Sequence, residues 1–177
     1  MTKQNIRFIY TVHTQWEIKD LLQSIFMGEL LRPSKCIWLV SPWISDIQII
    51  DNRSNQCTTI EPDWARKQIL LTDIITKLAD LGSVIRIATR QDRHNDRFLS
   101  ELKRKSDKLN EKIFFYENTI LHEKGILGDH YYLSGSMNLT QNGITFTEES
   151  LKFITDTSMV SENRITFASR WGDEHLC

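Results

Sequence analysis

At 177 residues the chain is long enough for one domain with a real core and too short to expect two, so residues 1–177 are read as a single unit. Apolar residues make up 40% and charged residues 25%, with 22 Lys and Arg against 23 Asp and Glu; these values exclude a fibrous repeat, a disordered polyelectrolyte and a membrane protein built of spanning helices. A formal net charge of −1 leaves nucleic acid open as a partner, because a polyanion needs only a local basic face.

In chain order, Ile6 to Val12 reads as a strand. Trp16, Ile18, Leu21, Leu22, Ile25, Phe26 and Leu30 then recur at helical spacing after a capping Thr14, and Pro33 stops the helix. Cys36 to Val40 is a continuous apolar run of the kind that forms a strand covered on both faces, and Ser41-Pro42-Trp43 leaves the sheet. Asp46 to Pro62 is polar around Asp51-Asn52-Arg53-Ser54-Asn55 and is expected as a long surface loop able to fold over a site. Ile69, Leu70, Ile74, Ile75 and Leu78 mark a second helix ending at Gly82, and Val84 to Thr89 a strand. Asn95 to Asn110 reads as a charged helix whose apolar face is Phe98, Leu99 and Leu102, followed by the strand Ile113 to Tyr116. This alternation predicts an α/β sandwich with a largely parallel sheet. Beyond Leu121 the pattern changes to a hairpin, His122 to Leu127 and His130 to Ser134 around Gly128-Asp129, then a strand from Ser150 to Thr155 and a helix from Glu162 to Trp171.

Cys36, Cys57 and Cys177 are odd in number and widely separated, which predicts reduced thiols, no zinc site and a cytoplasmic protein. No apolar run approaches the length of a spanning helix, so no membrane association is expected.

The chemistry concentrates in residues 121–140. On an extended segment His122 and Lys124 project from one face, setting an imidazole beside a fixed positive charge. The turn returns Ser136 and Asn138 beside them. Phosphoryl transfer needs a nucleophile, charge on the equatorial oxygens and an acid for the leaving oxygen. His122 suits the attack and a covalent phosphohistidine, Lys124 the charge and Asn138 the amide donors; the Gly135-Ser136 turn adds backbone N–H groups and a hydroxyl. The set calls for no metal and no cofactor. Singly, such residues are ordinary surface or turn chemistry, but six specified types at fixed offsets arise by chance in roughly one such chain in a hundred thousand.

His122, Lys124, Asp129, Gly135, Ser136 and Asn138 resemble the H-x-K-x4-D and G-S-x-N signature of the phospholipase D superfamily, with five residues between Asp129 and Gly135 where the family usually has six. Ile37 to Trp43 and Val84 to Asn95 extend the resemblance upstream. The resemblance implies a phospholipase D-like α/β/α sandwich with a mixed, largely parallel central sheet. It makes Asp129 and Gly135 structural, and it implies a glutamate that orients the histidine, for which Glu149 and Glu148 compete. It also implies a reaction using two histidines. His13, His94, His130 and His175 lack the accompanying lysine and asparagine, so a homodimer sharing one cleft is expected to supply the second His122.

Single-motif members of the family are nucleases, which implies a metal-independent phosphodiesterase acting on DNA, in a bacterial defence or DNA-modification setting that would add partner proteins. Arg90, Arg93, Lys103 and Lys105 are candidate phosphate contacts in a segment with a positive excess. Trp43 and Trp64 are open between base stacking and the core. A phospholipid-directed phospholipase or phosphatidyl transferase is the second reading, and a non-catalytic nucleic-acid-binding subunit the third.

Overall fold

The structure is a computed structural model that describes residues 6–10, 16–109 and 111–172. Its frame is a seven-stranded sheet. β1 (Ile6–Tyr10) is followed by helix α1 (Trp16–Leu31), and β2 (Cys36–Val40) then enters the sheet with all five residues buried. A β3 (Gln48–Asp51) and β4 (Gln68–Leu70) hairpin stands apart from the main sheet and leads into α2 (Leu71–Asp80). β5 (Val84–Thr89), α3 (Arg93–Lys105) and β6 (Ile113–Glu117) complete the first two thirds. β7 (Gly125–Leu127), β8 (Tyr132–Gly135), the short α4 (Gln141–Thr145), β9 (Ser150–Ile154) and α5 (Thr157–Trp171) follow.

The strand order is β1-β9-β8-β7-β2-β5-β6. β2, β5 and β6 run parallel, as two right-sized helical crossovers require, while β2–β7, β7–β8, β8–β9 and β9–β1 are antiparallel. The expected mixed sheet is therefore present, with its parallel part confined to three strands. Helix–strand alternation signals parallel pairing only while it lasts, and beyond β6 short connections replace it.

Two apolar layers hold the sheet. On one face α1, α2, α3 and the β3–β4 hairpin bury Phe26, Leu39, Ile74, Ile87, Phe98 and Leu102. On the other, α5 brings Val160, Phe167 and Trp171 onto Trp38, Leu127, Tyr132 and Ile154, with Phe167 edge-on to both Trp38 and Tyr132.

Several expectations change. The strand predicted through Val12 is described to Tyr10, and Thr14 and Asn110 lie outside the described residues. The loop predicted from Asp46 contains β3, because the apolar run Ile47–Ile50 at its start buries into the core. Asn52 pins the rest of it, donating to the Trp64 carbonyl at 2.8 Å and accepting from Cys57 N–H at 2.7 Å. Trp64 is buried there, which assigns it to the core. α5 begins at Thr157 instead of Glu162, started by Asp156, whose carboxylate accepts from Met159 N–H. Cys57 is a free, buried thiol, and Cys177 lies outside the described residues.

Candidate active site

The C-terminal ends of β2, β5 and β6 lie at one edge of the sheet, and the antiparallel β7 starts at that same edge because Gly125 pairs with Val40. Loops leaving these strands are tied together before any catalytic group is placed. Asn95, fully buried, accepts from Ile44 N–H at 2.8 Å and donates to the Pro42 carbonyl at 3.0 Å and the Arg90 carbonyl at 2.7 Å. The Ser41 hydroxyl accepts from Leu139 N–H, and Ser45 N–H donates to the Leu139 carbonyl at 2.8 Å, fixing the stretch that carries Asn138. Pro42 is buried, and Trp43 is half-buried with its ring 4.8 Å from the Arg90 guanidinium.

β7 begins three residues later than the strand predicted from His122, so His122 and Lys124 stand on the segment entering it, yet both line one open cleft with Glu123, Tyr132, Ser134, Gly135 and Ser136. His122 is exposed. Lys124 is only 9% exposed, and its ammonium donates to the His122 main-chain carbonyl at 2.7 Å. Burial pushes the Lys124 ammonium below its ordinary pKa, an effect that the Glu149 carboxylate opposes and the Arg90 charge reinforces.

Ser136 donates its hydroxyl to the Glu149 carboxylate and accepts from Ser150 N–H at 3.0 Å. Glu149 is buried and Glu148 exposed, and the Glu149 carboxylate meets the Ser136 hydroxyl. Gly135 sits where the sheet is tightest: a Cβ there would lie 2.1 Å from the Ser150 carbonyl oxygen, and its φ is +155°. Asp129 accepts from Lys35 N–H at 2.8 Å and pairs with Arg164 at 3.3 Å, holding the shortened turn that Gly128 N–H closes onto the Tyr131 carbonyl. Asn138 is half-buried and is not among the residues that line the cleft, and its Oδ1 has no hydrogen-bond partner among the described residues.

The basic residues divide differently from expectation. Arg90 is at the site but turned inward: Nε and Nη2 both donate to the Leu121 carbonyl, at 3.2 and 2.7 Å, clamping the approach to His122 in place of a phosphate. Lys105 gives its ammonium to Thr72 and Asp73, at 2.8 and 2.6 Å, on the other side of α3. Lys103 is exposed over the Phe115 ring, and Arg93 is exposed in the first turn of α3. Neither lines the cleft. Ser134, Tyr132 and Glu123 are the lining residues that the sequence reading missed. Alternation from Ser136 back along a strand was the signal for Ser134 and Tyr132; Glu123, paired with Arg170 of α5, had none.

Fold and cleft together define an α/β phosphodiesterase-type scaffold with a histidine–lysine pair at the edge of a mixed sheet. The chain belongs to the phospholipase D superfamily: the family described as cardiolipin synthase, PLD-like domain, matches residues 47–171. Among solved structures it is similar to NucT from Helicobacter pylori, at 13% identity over 94% of this chain and 95% of that one, with a TM-score of 0.62. It is similar to the phospholipase D family member Nuc from Salmonella typhimurium, at 14% identity over 96% and 95% of the two chains and a TM-score of 0.59. Phosphatidylserine synthase of Haemophilus influenzae Rd KW20 matches at 15% identity and a TM-score of 0.58, over 93% of this chain and 36% of that one. No curated protein matches. At such identities the similarity defines the fold, while family membership supports a phosphodiesterase-type activity.

No helix among the described residues is long and apolar enough to cross a membrane.

Proposed function

We propose that this chain is a metal-independent phosphodiesterase, a nuclease that cleaves DNA as a homodimer through a covalent phosphohistidine on His122. The observation that carries this reading is that His122 and Lys124 open into one cleft, with the Ser136–Glu149 pair on its wall. An imidazole nitrogen of His122 attacks phosphorus and the bond to the leaving oxygen breaks; that oxygen takes a proton from the partner subunit's His122. Water then attacks the phosphohistidine, gives its proton to the same partner imidazole, and releases a phosphate monoester with His122 restored.

Lys124 brings positive charge to the non-bridging oxygens from a site poor in water, where a charge acts more strongly than at the surface. Asn138 would serve this phosphate through the N–H groups of its amide, which requires its half-buried side chain to turn into the cleft. Glu149 acts behind the cleft, holding Ser136 and offsetting the desolvation of Lys124. Symmetry brings the second histidine: a two-fold axis through a shared cleft makes each His122 nucleophile in one half-site and acid in the other.

The test is DNA cleavage in EDTA by the unsubstituted protein and by His122→Ala. Cleavage that persists in EDTA and disappears in the variant supports the reading; loss on chelation overturns the metal-free mechanism. Phospholipid vesicles run beside the DNA separate the lipid-directed alternative.

A further inference from the structure

The sheet face that carries α5 is only partly covered. Its inner row, Ile6, Ile154 and Tyr132, is packed under Val160, Phe167 and Trp171. The next two rows are not packed by any described helix. Phe8 pairs with Lys152, and Lys152 with Ser134, so these three side chains lie in one line on the same face. Tyr10 pairs with Ser150, and Ser150 exchanges hydrogen bonds with Ser136 at 3.0 and 3.1 Å, making a parallel line one step nearer the catalytic edge. Phe8 is 54% and Tyr10 61% exposed, and Lys152 is exposed with its ammonium 5.6 Å from the Phe8 ring centre. Both lines end at Ser134 and Ser136, which are walls of the His122 cleft.

We infer that this bare face is a binding platform for single-stranded nucleic acid, stacking bases on Phe8 and Tyr10 and holding a phosphate on Lys152, and that it feeds the strand into the cleft. The inference rests on the nucleic-acid reading of the cleft. Two strand spacings put Phe8 about 10 Å from Ser134, and two residues of β1 separate the aromatic side chains by about 7 Å, within reach of the nucleotides that flank a bound phosphate. Aromatic rings on an open sheet, with a cation between them and the scissile site, match what an unpaired strand offers: accessible base faces and a charged backbone. A duplex keeps its base faces stacked inside and gains only the Lys152 contact, so the platform discriminates between the two forms.

The experiment measures binding of a fluorescein-labelled oligothymidine and of a hairpin duplex by anisotropy, in the His122→Ala background so that neither is cut. Phe8→Ala/Tyr10→Ala is expected to weaken single-strand binding about 10- to 100-fold and duplex binding far less, with the melting temperature unchanged. Phe8→Leu/Tyr10→Leu, which keeps apolar bulk without a ring, is expected to behave like the alanine pair. Lys152→Ala is expected to reduce the slope of log affinity against log salt by about 0.7.

Single-strand affinity unchanged in Phe8→Ala/Tyr10→Ala, or absent in the parent, overturns the platform. So does a fall in molecular mass by light scattering in the alanine pair but not the leucine pair, which would make this face a contact between copies. Turnover of bis(p-nitrophenyl) phosphate by the unsubstituted protein reports on catalysis alone. Its failure beside intact, ring-dependent oligonucleotide binding overturns the phosphodiesterase reading and leaves the platform standing.

Discussion

The Lys124 ammonium donates to the main-chain carbonyl of His122, 2.7 Å away, so the group that supplies charge to the cleft also fixes the backbone of the residue proposed to attack. The two are coupled through geometry as well as electrostatics. Loss of Lys124 therefore removes a charge and loosens the nucleophile together, and Lys124→Met is expected to lower kcat/KM by at least the 10²- to 10³-fold typical of a lost transition-state contact. A steady-state assay on a small diester reads this directly.

The depressed pKa of Lys124 gives a signed pH dependence. Folded Lys124 releases its proton below the ordinary lysine value of 10.5, so the alkaline limb of kcat/KM is expected below 10.5. Between the folded pKa and 10.5 the unfolded chain holds more protons at this position than the folded one, and this group's contribution to stability rises with pH there. Lys124→Arg, whose guanidinium stays charged, is expected to retain part of the activity and lose the limb. A pH–rate profile of both proteins checks the sign.

Ser136 and Glu149 stand or fall as a pair. Ser136→Ala removes one hydrogen bond from a buried carboxylate and the acceptor of the Ser150 N–H, and a cost of about 1–3 kcal/mol in unfolding free energy is expected. Glu149→Gln keeps a hydrogen-bond acceptor and removes the charge that favours protonated Lys124, so it is expected to shift the alkaline limb to lower pH with a smaller loss of stability. Denaturant unfolding and the pH–rate profile separate the two effects.

Gly135→Ala places a methyl 2.1 Å from the Ser150 carbonyl oxygen and is expected to destabilise the protein by about 2 kcal/mol or more. Gly28→Ala is the internal control. Gly28 is an exposed position inside α1 with nothing within 4 Å of the added methyl, so a gain of up to about 1 kcal/mol is expected there. Thermal or urea unfolding of both variants reads the difference.

Arg90 acts by clamping the Leu121 carbonyl with two N–H groups and lying against Trp43. Arg90→Lys cannot reproduce the fork and is expected to lower kcat about 10-fold or more while KM and the salt dependence of DNA binding move little. A phosphate contact would change the salt dependence instead.

Much of this site was legible in the sequence because its groups are local. His122 to Ser136 spans one hairpin, and the spacing of Gly128-Asp129 from both arms predicts that its two ends meet at one cleft. Glu149 was legible only as one of two neighbours, since which carboxylate points inward depends on the start of β9 at Ser150 and on the hydroxyl it meets. The basic residues are sorted only by the fold, for a general reason: charge in a sequence carries no direction. Arg90 and Lys105 are both spent on internal partners that lie 31 and 32 residues away in the chain, beyond any local pattern. The fold shows the same division. Crossovers at β2, β5 and β6 follow from helix–strand alternation, whereas the pairing of β1 with β9, which builds the open aromatic face, joins chain segments some 140 residues apart.

The central claim is a covalent bond between His122 and phosphorus. A single-turnover reaction in EDTA, quenched without acid and analysed by peptide mass spectrometry, is expected to show a phosphoryl-linked adduct on the peptide carrying His122 and none in His122→Ala. Product formed at full rate with no such adduct at any time, or full turnover by His122→Ala, would contradict it.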